Sequence, residues 1–308
     1  MSFELSHSLL LALCARNFFS VSENGMVFFG LRGCLPVDPE DHSFGASRTL
    51  KLAEVNYLNP RCTLGQWLPA DQVLAVYPGS TCPHRGSVED AKDDGGEGAN
   101  QLLTGYYEFV KGTHRAGKPS GHVAFRQEEA RVVLRNADDM DFDFKDTADP
   151  GMQADNLHCA FSAGVNSGYS SAGCQVVVGF PNRHDKQTTE SGPWAAFRQT
   201  AYDLSQERFS YVLLNGSEIE TMAANPSLPR PALVRFGSTG ELVRSLQTKL
   251  RELNLINFEP DAECGPKTQL AIIRFQVERM GAENADGVVG ENTAAQLGIT
   301  NWPIVGGS

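Results

Sequence analysis

The chain has 308 residues and a formal net charge of −11, with 41% apolar and 20% charged residues. That length accommodates one large and one small domain, and the composition is that of an ordinary soluble protein, so no part needs to be disordered. The acidic balance, without a basic stripe, argues against nucleic acid and against adhesion to an anionic membrane face.

The first apolar run, Leu9 to Ala15, resembles an export signal only superficially. Glu4 precedes it, no Lys or Arg does, and no small-x-small cleavage site follows. It is too short to span a bilayer and reads as the first buried helix of the domain. The chain is therefore expected to be made in the cytoplasm without a standard export signal and without membrane insertion.

Strand-length apolar runs follow at Met26–Leu31, Val73–Tyr77, Tyr106–Val110, His122–Phe125, Ala130–Leu134, Gln175–Val178 and Phe209–Leu214, separated by Gly, Pro, Asn and Asp clusters. They predict a mainly β domain. Between them, Glu89–Asn100 is acidic and Gly-rich and reads as a surface loop. The acidic run Asp138, Asp139, Asp141, Asp143 and Asp146 reads as a solvated face, because the Gly and terminal Glu of a calcium loop are missing. Trp194–Leu204 has a helical stripe of Trp194, Phe197, Ala201 and Leu204. Pro226, Pro229 and Pro231 then mark a linker. The predicted organisation is a mainly β domain over 1–222, a Pro-rich linker over 223–232, and a helical module over 233–300.

The helical module carries an internal echo. Asp261 to Thr268 is matched by Asp286 to Thr293, with Asp, Gly and Thr recurring at the same offsets. Each copy predicts a tight turn running into a helix start. Leu242, Leu246, Leu250 and Leu253 form one helical stripe; Leu270, Ile273, Phe275 and Val277 contribute to a second. The expected fold is a small all-α bundle of three helices.

The seven cysteines are odd in number and contain no C-x-x-C pair, which makes a disulfide framework or a structural zinc site of usual spacing improbable. Most read as small buried apolar residues. Cys174 is different. It closes the small-residue run Ser170-Ser171-Ala172-Gly173, and His158 lies upstream in Asn156-Leu157-His158. An imidazole beside a thiol on a sharp turn is the arrangement of an activated nucleophile: His158 would hold the sulfur ionised, and the Gly173 and Cys174 N–H groups would receive the oxyanion. Ser171 would orient the loop. His114 and His122, each beside a strand, would line the cleft, or else be surface or turn histidines. Arg135, Asn156 and Tyr107 complete the candidate substrate contacts. No metal or other cofactor is expected.

Two resemblances sharpen this reading. Gly237-x-x-Gly240-Glu241-x-Val243-x-x-Leu246-Gln247, Gly265-Pro266-x-Thr268, Phe275-Gln276 and Asp286-Gly287-Val288-Val289-Gly290-x-x-Thr293 resemble the three-helix peptidoglycan-binding module of cell-wall enzymes. Ala262 stands where that pattern usually has Gly, and Cys264 where an aromatic or apolar residue is common. The His158–Cys174 segment resembles the catalytic signature of the L,D-transpeptidase family, a His followed by Ser-His-Gly-Cys; here Ala172 replaces the second histidine. Gly105-x-Tyr107 and the following strand extend that likeness. The resemblance implies a β-sandwich or barrel-like catalytic domain and a thioester on Cys174 formed with peptidoglycan stem peptides, resolved by water or by an amine. Two alternatives stay open: a zinc-dependent wall hydrolase using His114, His158 and an Asp, and a wall-binding protein without turnover. A wall enzyme without an export signal suits a phage lysin, a virion-associated enzyme or a toxin injected into a rival cell. The last would bring an immunity protein and a secretion machine as partners.

Overall fold

The computed structural model describes residues 2–93, 98–136, 146–183 and 188–306. Most of the acidic run beginning at Asp138 therefore lies outside the described residues. In chain order the elements are β1 (Ser2–Ser6), α1 (His7–Arg16), β2 (Val27–Arg32), β3 (Cys34–Pro36), β4 (Ser47–Leu52), β5 (Cys62–Leu68), β6 (Val73–Ser80), α2 (Arg85–Asp93) and β7 (Ala99–Leu102). There follow β8 (Gly105–His114), β9 (His122–Gln127), β10 (Arg131–Asn136), β11 (Thr147–Gly151), β12 (Leu157–Cys159), β13 (Gln175–Val177), α3 (Pro193–Tyr202), β14 (Arg208–Asn215) and α4 (Gly216–Ala224). The last helices are α5 (Glu241–Glu252), α6 (Pro266–Met280) and α7 (Glu291–Gln296).

The main sheet closes on itself in the order β12-β13-β6-β5-β2-β14-β8-β9. Of the sandwich and barrel-like forms expected, the sheet takes the barrel-like one. Instead of stacking on a second sheet, β9 meets β12 at Phe125 and Leu157, which removes both free edges. Pairing is parallel between β12 and β13 and between β14 and β2, and antiparallel elsewhere. Alternation along the strands divides the apolar side chains between two cores. Phe28, Phe209, Tyr211 and Leu213 join Trp194 and Phe197 of α3 in one cluster. Val27, Phe29, Leu31, Val212 and Leu214 join Leu9, Leu10 and Leu13 of α1 and Ile219 of α4 in the other. Covering both faces explains why β2 and β14 read as nearly continuous apolar runs.

The Leu9–Ala15 run lies in α1, whose start is capped by Ser6 accepting from the Leu9 N–H at 3.2 Å. Among the described residues no helix is long and apolar enough to cross a membrane. The predicted helix near Trp194 stops at Tyr202, and the predicted surface loop over 89–100 is partly α2 and partly the buried start of β7.

The helical module is fastened to the barrel. Arg230–Pro231 pairs with Ile304–Val305, so the end of the Pro-rich stretch is part of a small sheet. Phe236 stacks on Tyr107 with ring centroids 4.7 Å apart, Tyr106 N–H donates to Phe236 O at 2.9 Å, and Arg235 reaches Thr104 Oγ1 at 2.9 Å and Glu218. Ile273 packs against Leu103, Val132 and Leu134 of the neighbouring sheet rather than within the module core. Leu253 and Val277, read as stripe residues, are exposed; Val243, Leu246, Leu250, Ile272 and Phe275 fill the core instead.

Within the module the sequence echo is a duplicated hydrogen-bond network. Gln247 Nε2 donates to Asp261 Oδ1, Glu263 O and Thr268 Oγ1 at 2.7–3.0 Å, and its Oε1 accepts from Ala262 N–H at 2.9 Å. Gln276 repeats this with Asp286 Oδ1, Val288 O, Thr293 Oγ1 and Gly287 N–H. Gly287 has φ +71° and Ala262 φ +68°, so both turns take the same shape and the alanine copy bears the left-handed strain.

Candidate active site

Strand pairing brings distant histidines together. His114 ends β8 and His122 begins β9, directly opposite one another across the hairpin. His158 is the middle residue of β12, which neighbours β9, and Cys174 immediately precedes β13 on the other side. The His114 and His158 rings stack with centroids 4.5 Å apart, and His122 meets His158 edge-on at 5.0 Å. One nitrogen of each of His114 and His158 and the Cys174 Sγ lie within 4.8 Å of one another.

Hydrogen bonds fix the ring protons. His158 Nδ1 is 2.7 Å from Cys159 O, and a carbonyl only accepts, so neutral His158 carries its proton on Nδ1 and leaves Nε2 as a base. His114 has the opposite tautomer. Asn156 Oδ1 accepts from Gln127 N–H at 3.0 Å, which orients the amide so that Nδ2 donates to His114 Nδ1 at 2.8 Å. Neutral His114 therefore carries its proton on Nε2 and is a donor. Burial, followed by the neighbouring His114 and His122, holds His158 well below the ordinary imidazole range; burial lowers His114 to about 4.

Cys174 is 8% exposed, and its thiol faces Ala154 O at 3.8 Å. Burial, then the Asp155 carboxylate, pushes the thiol up to about 12, against the N–H groups of Asn156 and of Cys174 itself. The resting pair is thus a neutral thiol beside a neutral imidazole. This departs from the expectation of a sulfur held as thiolate: the loop folds inward, and desolvation favours the uncharged form.

The loop is held from several sides. Ser171 Oγ donates to Cys174 O at 2.7 Å and accepts from Gly173 N–H at 3.1 Å. The Gly173 amide is consequently engaged and is not the free oxyanion donor that was expected. Gly173 has φ +149°, and a Cβ there would come within 2.5 Å of Asn100 Cβ and 2.7 Å of Asp155 Oδ1. Asn100 N–H donates to Ala172 O and His84 N–H to Ser171 O, both at 2.8 Å. Asn100 Nδ2 also donates to Asp155 Oδ1 at 3.1 Å, and Arg135, paired with Asp149, donates to Asn100 Oδ1 at 2.8 Å.

Two proposed substrate contacts take other parts. Arg135 acts through Asn100 on the nucleophile loop, and Tyr107 is 2% exposed, stacked on Phe236, with its hydroxyl donating to Leu103 O at 2.7 Å. Asn156 does line a cavity of about 370 Å³, with Arg115, Arg126, Met152 and Ala154, but both ends of its amide are already committed. The same cavity shares Ala154, the thiol's acceptor, and so adjoins the site. Its two guanidinium groups are exposed and suit a carboxylate-bearing ligand.

Asp155, Asn100 and Cys159 were not read as site residues. Asp155 is fully buried, and its carboxyl is raised to about 6 by desolvation. The hairpin register could have paired His114 with His122, since the turn between them is Gly-, Pro- and Ser-rich. Among the described residues the clusters with ligand spacing are His114–His158–Cys174 and His122–His158–Cys159, and no carboxylate joins either. The zinc-hydrolase set of His114, His158 and an Asp is therefore not assembled there.

Residues 239–297 match the family described as "Putative peptidoglycan binding domain". The helical module is a peptidoglycan-binding domain. That places a cell-wall-associated function on the chain and agrees with the duplicated turns around Gln247 and Gln276. No curated protein and no solved structure matches the chain.

Proposed function

We propose that this chain is a cysteine-dependent enzyme of peptidoglycan stem peptides, with Cys174 as nucleophile and His158 as base. The observation that carries the reading is the Cys174 sulfur within 4.8 Å of a nitrogen of His158, a ring whose Nδ1 is already committed, on a barrel fastened to a wall-binding domain.

Because both groups rest uncharged, proton transfer accompanies attack instead of preceding it. Cys174 Sγ gives its proton to His158 Nε2 as it adds to the peptide carbonyl. His158 then returns the proton to the departing amine, leaving a thioester. Water resolves it to a carboxylic acid, or a second amine resolves it to a new peptide bond. The Nε2–H of His114 supplies a hydrogen-bond donor that the Gly173 amide, tied to Ser171, does not. Arg115 and Arg126 on the adjoining cavity would hold a stem-peptide carboxylate.

Intact-mass spectrometry of the chain mixed with purified stem peptides tests the covalent step. The expected result is an adduct on Cys174 that hydroxylamine removes, absent in Cys174→Ala. Stem-peptide cleavage by Cys174→Ala at the native rate would refute the thioester.

A further inference from the structure

A second cluster adjoins the proposed base. One nitrogen of each of His122 and His158 and the Cys159 Sγ lie within 4.8 Å of one another, and the three residues are 5%, 4% and 0% exposed. His122 Nδ1 is 3.0 Å from Ser120 O, and His158 Nδ1 is 2.7 Å from Cys159 O. Both rings therefore donate Nδ1–H to a backbone carbonyl and are left with Nε2 lone pairs. His122 Nε2 is buried and has no hydrogen-bond partner among the described residues. An imidazole whose Nδ1–H is fixed by a carbonyl is in the tautomer and orientation of a metal ligand. Two such rings and a thiol form the mixed nitrogen–sulfur donor set that zinc and its neighbours take.

We infer that His122, His158 and Cys159 bind a soft divalent transition metal of the zinc class. Binding displaces the Cys159 proton to solvent and leaves the sulfur as a metal thiolate. C-x-x-C spacing gave no hint of it, because the ligands come from β9 and β12, which are adjacent only in the closed barrel. His158 is common to this cluster and to the one containing Cys174. A metal on His158 occupies the lone pair that the thiol needs, so metal binding and nucleophile activation exclude each other. The site itself does not depend on the proposed reaction; only this inhibitory consequence rests on it.

Cobalt(II) titration of the full chain tests the site. The expected result is one equivalent bound, with visible bands of a tetrahedral ion and a near-ultraviolet thiolate-to-cobalt band, both displaced by zinc. His122→Gln should weaken binding by more than the roughly 10–100-fold that loss of an outer partner costs. Cys159→Ser should keep the visible bands and lose the thiolate band, and Cys174→Ala should keep both. Thermal melts of the variants separate ligand loss from unfolding. Absence of bands in the wild-type chain would overturn the inference. So would bands that vanish in Cys174→Ala and persist in His122→Gln and Cys159→Ser. In the stem-peptide assay, zinc should stop turnover reversibly and spare His122→Gln. A chain with no turnover at all would remove the proposed reaction while the cobalt spectra still decide the metal site.

Discussion

The wall-binding module and the barrel site bury polar side chains in different ways. In the module the two echo glutamines are each satisfied by one neighbouring turn, and the solution is repeated: Gln247 with Asp261 and Thr268, Gln276 with Asp286 and Thr293. Of the module's three buried glutamines, only Gln269 stays unmatched among the described residues. At the barrel site the polar groups come from β8, β9 and β12, from β7 of a separate sheet and from the loop before β13, and among the described residues some stay unmatched, including Asp155 Oδ2 and His122 Nε2. Local satisfaction gives a rigid, portable binding unit. Converging, incompletely satisfied groups are what chemistry or a ligand requires, and they carry a stability cost.

The sharpest way to break this contrast is to disable one region and read the other. Cys174→Ala and His158→Ala should each lower stem-peptide turnover by at least about 10³-fold, the scale of losing a nucleophile or its base. Sedimentation with purified sacculi should show undiminished wall binding by both variants. Loss of sacculus binding would mean that the module does not act alone.

Gly173→Ala probes the loop. The added Cβ meets Asn100 and Asp155 at a backbone angle that side chains avoid, so the variant should lose turnover and about 1–3 kcal/mol of stability in thermal melts. A native melting curve would show that the loop is looser than its contacts imply.

Asp155→Asn probes the stability cost directly. Burial raises the Asp155 carboxyl to about 6, above its ordinary value. A raised acid stabilises the fold below the unfolded pKa, near 4, and that contribution is lost as pH rises through about 6. Asp155→Asn should therefore raise Tm at pH 8 and leave it nearly unchanged at pH 4. Equal melting temperatures at pH 8 would place the carboxylate in a better-solvated setting.

The smallest effect belongs to the module. Ala262→Gly removes left-handed strain that Gly287 avoids in the second copy, and should stabilise the chain by roughly 0.5–1 kcal/mol. Destabilisation would show that the two turns are not equivalent.

These differences also explain what the amino-acid sequence reveals. The module is legible because Gln, Asp, Gly and Thr act within one turn and helix, so its spacing is its structure. His158 and Cys174 are legible as a pair because β12 and β13 are parallel neighbours joined by one loop. His114 was legible only as a residue beside a strand; its stacking on His158 depends on barrel closure. Asn100 was invisible, since an acidic, Gly-rich stretch looks solvated until its last residues are buried in β7, and Asp155 was invisible because its partner Asn100 is 55 residues away in the sequence. Tyr107 misled for the reverse reason: its position in the motif is retained, but Phe236 covers it.

The central claim is that a thiol on this barrel reacts with wall stem peptides. Mass spectrometry of purified sacculi treated with the full chain, with and without an added D-amino acid, tests it most directly. The account predicts shortened stem peptides, or stems carrying the added amino acid, in the wild-type digest and neither in Cys174→Ala. Identical products from both proteins would contradict it.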